Sequence, residues 1–206
     1  MEKTRPRKRA ISARPTIVKR KVPVRRRNSD YRSREYLSEK EVGKVIAAAA
    51  TQGRHGVRDS ALILIAYRHG LRVSELVSLR WDQIDLSQGL VHVARLKNGM
   101  ASVHSELRAL RRLQREDANA AYVFVSERKA PLTPGAVRKI VARAGRQAGI
   151  EFSIHPHMLR HATGYKLAND GHDTRAIQQY LGHRNIQHTT RYTELAPERF
   201  KDFWRD

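Results

Sequence analysis

The sequence contains no cysteine. Disulfide bonds and thiolate metal sites are therefore excluded, and a cytoplasmic address is permitted. The sequence also has no apolar run close to the roughly 20 residues that cross a bilayer, and its N-terminus lacks the apolar core of a signal peptide. We therefore expect a cytoplasmic protein with no membrane partner.

Acidic residues are scarce, since 20 Asp and Glu stand against 41 Lys and Arg, and the 206 residues carry a net charge of +21. So positive a chain predicts a polyanionic partner, most often a nucleic acid. A purely structural RNA-binding protein would have the same charge balance, so charge alone does not distinguish it from other nucleic-acid-binding proteins. Hydrophobic residues make up 40% of the chain, which is enough for one packed domain with or without an appendage.

The positive charge is concentrated in residues 1–35, which hold 14 lysines and arginines against three acids. With three prolines and few large apolar side chains, this segment is predicted to be a basic disordered arm, followed by a folded domain over residues 36–206. A solvated or targeting-like tail is the alternative. Basic runs that suit DNA phosphates favour the arm, and they comprise Arg7, Lys8, Arg9, Arg25, Arg26 and Arg27.

The rest of the sequence predicts a mainly α fold with a small antiparallel β-sheet, which is an α+β class. Capping and periodicity signals predict helices over 38–50, 57–68, 74–80, 105–116, 133–148, 156–171 and 173–181, and a last helix from Pro197. The caps are a capping box of Ser38 with Glu41 and N-cap residues at Thr133 and Asp173. Strands are predicted over 83–85, 90–96, 101–104 and 122–125, with Asn98-Gly99 as a hairpin turn. The helix over 133–148 carries Arg138, Lys139 and Arg143, which either meet a DNA groove or form an ordinary solvated face.

Five side chains outside the arm suit the chemistry of a phosphodiester. Cleavage puts negative charge on the nonbridging oxygens and on the leaving oxygen, so a site without a metal needs fixed positive donors and a proton source. Arg72 and Arg160 offer planar guanidiniums. His157, three residues before Arg160 on one helical face, and His183 can donate a hydrogen bond or carry a proton. Tyr192 could become a covalent nucleophile.

Each candidate also has an ordinary interpretation. Arg72 could pair with Glu75 on a helix surface, His157 could be a structural histidine, and Lys97 could be a turn lysine. Tyr192 is one of seven tyrosines. The combined pattern, Arg then Lys, HxxR, LGH and Tyr in this order and spacing, is hard to obtain by chance and favours a functional site.

These motifs, IHPHMLRH over 154–161 and YLGHRNI over 180–186, resemble the tyrosine recombinase (phage integrase) family, and most of all its small fimbrial phase-variation invertases. The resemblance implies site-specific DNA recombination, in which Tyr192 attacks the scissile phosphate to form a 3′-phosphotyrosyl bond. Arg72 and Arg160 match the phosphate-binding arginines. Lys97 matches the lysine that protonates the leaving 5′ oxygen.

The resemblance extends to the supporting groups. His157 and His183 match the two active-site histidines, and Glu75 matches the acidic residue that supports the site. Because the phosphotyrosine keeps the bond energy, no nucleotide cofactor is expected, and no metal is expected either. The implied setting is bacterial and nucleoid-associated.

The resemblance also implies double-stranded DNA as the partner and a homotetramer on two DNA sites. The apolar stripe Phe200, Phe203 and Trp204 would dock on a neighbouring subunit or pack on its own domain. Typical integrases carry a separate core-binding domain, whereas only the basic arm precedes this catalytic domain, so the arm or an accessory DNA-bending protein is expected to supply the missing contacts. Inversion, excision and integration share this chemistry and differ only in how the sites are arranged.

Other classes remain as alternatives at this point. A DNA-binding regulator or an inactive recombinase relic would keep the charge without the chemistry, and a type IB topoisomerase would share the tyrosine chemistry without paired sites. His157 and His161, with His155 nearby, have the spacing of a zinc-binding helix. However, no Glu follows His157 and Arg160 would repel a cation, which argues against zinc.

Overall fold

The computed structural model describes residues 34–51, 53–88, 90–93, 102–104, 107–116 and 119–194. Within these residues the chain forms eight α-helices and one three-stranded sheet, which confirms the predicted fold class. The basic arm up to residue 33, the hairpin turn with Lys97, and the C-terminal stripe lie outside the described residues.

Helices α1 to α3 form the first part of the domain. They are α1 (Glu39–Ala50), α2 (Gly56–Arg68) and α3 (Val73–Val77). The predicted capping box at the start of α1 is present, since the Ser38 hydroxyl accepts from the Glu41 amide and the Glu41 carboxylate accepts from the Ser38 amide. Gly70 follows α2 with a φ of +55°, which a residue without a Cβ adopts freely.

The predicted third helix over 74–80 is wrong at its end. Helix α3 stops at Val77, and the chain beyond it bonds to a segment some 40 residues later. The Leu79 carbonyl accepts from the Val123 amide at 2.9 Å, and the Trp81 amide donates to the Ala121 carbonyl at 3.1 Å. These long-range backbone bonds replace the helical ones.

The sheet is small and antiparallel, with the order β1 (Ile84–Asp85), β2 (Leu90–Val93) and β3 (Ser102–His104). In β2 the buried Val91 and Val93 flank the exposed His92, which is the alternation of a strand with one face on the core. The predicted strand over 122–125 is wrong, because these residues form only isolated bridges, Arg80 to Tyr122 and Val125 to Pro131.

The second half of the domain is helical and carries the candidate site. Its elements are α4 (Arg108–Glu116), α5 (Pro134–Gln147), α6 (Pro156–Asn169), α7 (Thr174–Leu181) and α8 (Gln187–Glu194). The caps predicted at Thr133 and Asp173 are confirmed. Helix α8 was not predicted. Helix α6 packs against α2, α7 and α8, and it is therefore the element from which the candidate site is assembled.

Candidate active site

One cavity of about 230 Å³ receives most of the predicted catalytic side chains. Five of the six line it, namely Arg72, His157, Arg160, His183 and Tyr192. They come from the start of α3, from α6, from the turn after α7, and from α8. Residues 120 positions apart in the sequence thus share one pocket. Lys97, the sixth, lies outside the described residues.

Arg160 is held by backbone carbonyl groups. Its side chain is only 1% exposed, and its guanidinium donates to the Gly70 carbonyl and, at 2.6 Å, to the Leu181 carbonyl. These oxygens lie at the ends of α2 and α7, where helices leave carbonyl groups unpaired. A buried cation thereby has partners, and the same residue lines the pocket.

Arg72 precedes α3 and is fixed by Glu75. The Glu75 carboxylate accepts from the Arg72 amide at 2.8 Å and from its Nη1 at 2.9 Å. The Glu75 side chain is 1% exposed, so this pair is more than a surface ion pair. Nη2 of Arg72 donates to the Gly182 carbonyl at 3.0 Å. The two guanidiniums therefore bond to consecutive carbonyls at the end of α7.

The turn after α7 directs His183 into the pocket. Gly182 has a φ of +65°, the left-handed conformation that ends a helix. Nδ1 of His183 lies 2.8 Å from the Thr189 hydroxyl, and the side-chain Nε2 of Gln178 donates to the His183 carbonyl at 3.0 Å. His183 is thus held by both neighbouring helices, α7 and α8.

Tyr192 is buried on the inner face of α8, with 1% of its surface exposed. Its hydroxyl lies 2.8 Å from Nδ1 of His161, and its ring stacks on that of His183 with centroids 6.2 Å apart. Burial raises the pKa of the phenol, while Arg191 and Arg160 act in the opposite direction. The phenol is therefore protonated in the free protein.

The pocket histidines are neutral at physiological pH. Burial and the nearby arginines lower the pKa of His183 to about 3, and burial followed by the charge of Arg160 lowers that of His157 to about 4. His157 lies at the exposed rim of the pocket. A pocket with three guanidiniums and no carboxylate among its described lining residues suits an anionic ligand.

Three further lining residues were not predicted as catalytic, namely His161, His188 and Arg191. His161 had been considered only as a zinc ligand. Its position four residues after His157 places it on the same helical face, so the helical period was a usable signal. Arg191 and His188 lie on α8, which was not predicted, so no signal pointed to them. Among the described residues, no group of three side chains is arranged to bind a metal ion.

The predicted DNA-binding residues of α5 remain a prediction, and their positions differ. Arg138 and Lys139 are exposed. Arg143 donates to the carboxylate of the buried Asp59 at 2.8 Å, although about half of the Arg143 side chain stays exposed. Within the described part of the chain, no helix is long and apolar enough to span a membrane.

Comparison with known sequences gives one consistent family. The sequence model of the phage integrase family matches residues 35–199. Type 1 fimbriae regulatory protein FimE of Escherichia coli K12 is 45% identical over 181 residues, covering 83% of this chain and 91% of FimE. FimB of the same strain is 40% identical, covering 85% and 92%. Tyrosine recombinase XerC of Bacillus pumilus is 34% identical, and the match covers 82% of this chain but 60% of XerC.

Solved structures show the same fold. The XerA recombinase superposes with a TM-score of 0.70 at 28% identity, covering 81% of this chain and 62% of XerA. The XerH recombinase bound to its difH substrate also gives 0.70 at 21% identity, covering 82% and 53%. The described domain therefore has the fold of a tyrosine recombinase catalytic domain, as predicted from the sequence.

Proposed function

The chain belongs to the phage integrase family and is a tyrosine-type site-specific DNA recombinase; we propose that Tyr192 is its nucleophile. The observation that carries this proposal is the convergence of Arg72, Arg160, His157 and His183 with the Tyr192 phenol around one cavity. These side chains come from four different segments of the chain, and the first and last of them, Arg72 and Tyr192, are 120 positions apart.

The proposed reaction needs no metal. Arg72 and Arg160 bind the nonbridging oxygens of one DNA phosphate, and the neutral His157 and His183 donate hydrogen bonds to it. Tyr192 attacks the phosphorus, forming a 3′-phosphotyrosyl bond while the bond to the 5′ oxygen breaks. Lys97 protonates that oxygen. A 5′ hydroxyl from another strand then reverses the attack, and because the number of phosphodiester bonds is conserved, no nucleotide cofactor is consumed.

Glu75 supports this site through Arg72. Its two carboxylate oxygens accept from the backbone and the side chain of Arg72, so the orientation of that guanidinium depends on a buried acid. This is a positioning role, since Glu75 faces Arg72 rather than the cavity. The carboxylate also balances one positive charge in a pocket that otherwise gathers cations.

Double-stranded DNA is the partner that this function requires, and XerH has been solved on its DNA substrate. We infer that the exposed Arg138 and Lys139 of α5 contact DNA, that residues 1–35 lie along the phosphates, and that the active assembly is a tetramer on two sites. We further infer that an accessory DNA-bending protein assists the assembly and that the protein is associated with the nucleoid. The fimbrial relatives favour inversion among the possible outcomes.

A nicked suicide substrate tests the proposed nucleophile. Loss of the short fragment beyond the cleavage site prevents religation, so the wild-type protein should accumulate covalently on the DNA with equal yield in excess chelator. Y192F should abolish this product, whereas Y122F, the same change outside the pocket, should not. A wild-type covalent yield from Y192F would refute the assignment. An assay for strand exchange between two DNA sites distinguishes the two activities, because a recombinase should join strands from different sites and a topoisomerase should not.

A further inference from the structure

The phenol of Tyr192 has a specific hydrogen-bond partner that the family resemblance did not supply. Nδ1 of His161 lies 2.8 Å from the Tyr192 hydroxyl, and both residues are buried, with 5% and 1% of their surfaces exposed. We propose that His161 accepts the phenolic proton when Tyr192 attacks the phosphorus, an inference that rests on the proposed function.

The surrounding groups are less suited to this task. Arg72 and Arg160 are donors without an acceptor atom. Nδ1 of His183 already bonds the Thr189 hydroxyl at 2.8 Å, and the His183 ring stacks on the ring of Tyr192 rather than meeting its hydroxyl end-on. The ring of His157 contacts the ring of His161 edge-on, with the two centroids 4.4 Å apart. Of the pocket histidines described, His161 is the one in hydrogen-bond contact with the phenol.

The environment of His161 keeps its ring neutral, and the Arg191 guanidinium approaches both ring nitrogens. Nη2 of Arg191 lies 3.0 Å from Nδ1 and 2.9 Å from Nε2 of the ring, and a guanidinium beside an imidazole favours the neutral form. Burial, followed by the electrostatic effects of His157 and Arg191, lowers the pKa of His161 to about 3. His155 and Arg160 of the α6 segment act in the same direction. In the tautomer that carries its proton on Nε2, the phenol and Arg191 share the Nδ1 lone pair, so the neutral ring accepts the phenolic proton there once that guanidinium moves away.

Entry of the DNA strengthens this base. A phosphodiester in the cavity brings a negative charge close to His161 and attracts Arg191, which is exposed and lines the same cavity. Both changes favour the imidazolium form. Proton acceptance is thereby linked to the presence of the scissile phosphate, and the free protein keeps its nucleophile protonated.

The proton count closes over the full reaction. During cleavage the Tyr192 oxygen bonds to phosphorus and its proton moves to Nδ1 of His161, while the 5′ oxygen leaves and takes a proton from Lys97. During religation the attacking 5′ hydroxyl returns a proton to Lys97, and the imidazolium of His161 returns its proton to the departing phenol. No oxidant, reductant or other reactant is needed.

Single-turnover cleavage of a nicked suicide substrate, made with a normal or a sulfur-substituted 5′ leaving atom, tests the proposal. H161A should cut about 10²- to 10⁴-fold more slowly with unchanged DNA affinity. H161N keeps a polar acceptor near the Nδ1 position but is not basic, so it should remain slow. A 5′ sulfur leaves without a proton, so it should rescue K97A and leave H161A and H161N slow.

Three results would overturn the proposal, namely a wild-type rate in H161A, full rescue by H161N, or rescue of H161A by the sulfur substrate. Full rescue by H161N would show that His161 only positions the phenol. Rescue of H161A by the sulfur substrate would show that His161 protonates the leaving 5′ oxygen instead. H172A, which removes an exposed histidine outside the pocket, is the matched control, and urea unfolding checks the fold. If H161A does not fold, H161N and H161Q carry the test. Covalent capture by Y192F would instead refute the proposed function itself.

Discussion

Gly164 of α6 lies directly against the ring of Tyr192, and a Cβ at this position would be 2.5 Å from Cε2 of that ring. No real Cβ atom makes so short a contact, so the absence of a side chain at position 164 is what admits the phenol to the face of α6 that carries His161. The depth at which Tyr192 is buried therefore depends on a glycine in the middle of a helix.

Substituting Gly164 by alanine should displace Tyr192 and slow DNA cleavage. The ring must move to relieve the contact, at a cost of about 1–3 kcal/mol, and the higher helix propensity of alanine returns about 1 kcal/mol at most. Urea unfolding and single-turnover cleavage measure the two effects. G43A is the control, because a Cβ there meets nothing within 4 Å and should leave cleavage unchanged. Wild-type cleavage by G164A would contradict this account.

Arg160 should matter for stability as well as for catalysis. Truncation to alanine leaves the carbonyls of Gly70 and Leu181 without this partner, at about 1–3 kcal/mol for each buried oxygen. R72A should also cost stability, since it leaves the buried Glu75 carboxylate and the Gly182 carbonyl without this partner. Both variants should lose cleavage. Equal unfolding free energies for R160A and the wild-type protein would show that these carbonyls are satisfied in another way.

The free energy of unfolding should fall as the pH drops below about 6.5. The pKa values of His161 and His183 are lowered to about 3 and that of His157 to about 4, so in this range the unfolded chain binds protons that the folded chain does not. The stabilisation is fully present above pH 6.5 and is lost progressively toward pH 3–4. Urea titrations at pH 7.5, 6.0 and 5.0 measure the slope.

Replacing one pocket histidine should flatten that slope. H183Q removes up to about one proton from the difference between the unfolded and folded states. H172Q replaces an exposed histidine and serves as the matched control. A stability that does not change between pH 7.5 and 5.0 would mean that the pocket histidines take up protons without unfolding.

Deleting residues 1–35 should weaken DNA binding and reduce its dependence on salt. Each phosphate contact that is lost lowers the slope of log affinity against log salt by about 0.9. Affinity measured at several salt concentrations for the full chain and the truncated chain gives the number of contacts. K44Q, which removes an exposed charge from α1, is the control for a general effect of charge. An unchanged slope in the truncated protein would refute the arm hypothesis.

Local signals predicted those parts of the fold that local bonds determine. The capping box at Ser38 and the Thr133 and Asp173 caps were confirmed, because each is a contact within a few residues. Helix α8 was missed because Thr189, Thr190 and Thr193 lower its helix propensity. What stabilises α8 is burial of Tyr192 and the bond from Thr189 to His183, and both depend on partners outside the helix.

The candidate site was predictable to the extent that its residues occur in motifs. The HxxR and LGH motifs led to His157, Arg160 and His183. The bond between Arg72 and the Gly182 carbonyl, in contrast, joins residues 110 positions apart and has no sequence signal. His161 was visible in the helical period of α6, yet its role depends on Tyr192, which reaches it from another helix. A role that depends on a contact between two helices can be assigned only from the structure.

Both phosphate-binding arginines are oriented by main-chain oxygens, those of Gly70, Leu181 and Gly182. A carbonyl is present whatever amino acid occupies the position, so mutations that keep the helix ends in place leave this framework unaltered. Substitutions on the outer faces of α2 and α7 should therefore leave the directions of both guanidiniums unchanged, so the reactive centre tolerates change in the side chains of the very helices that hold it.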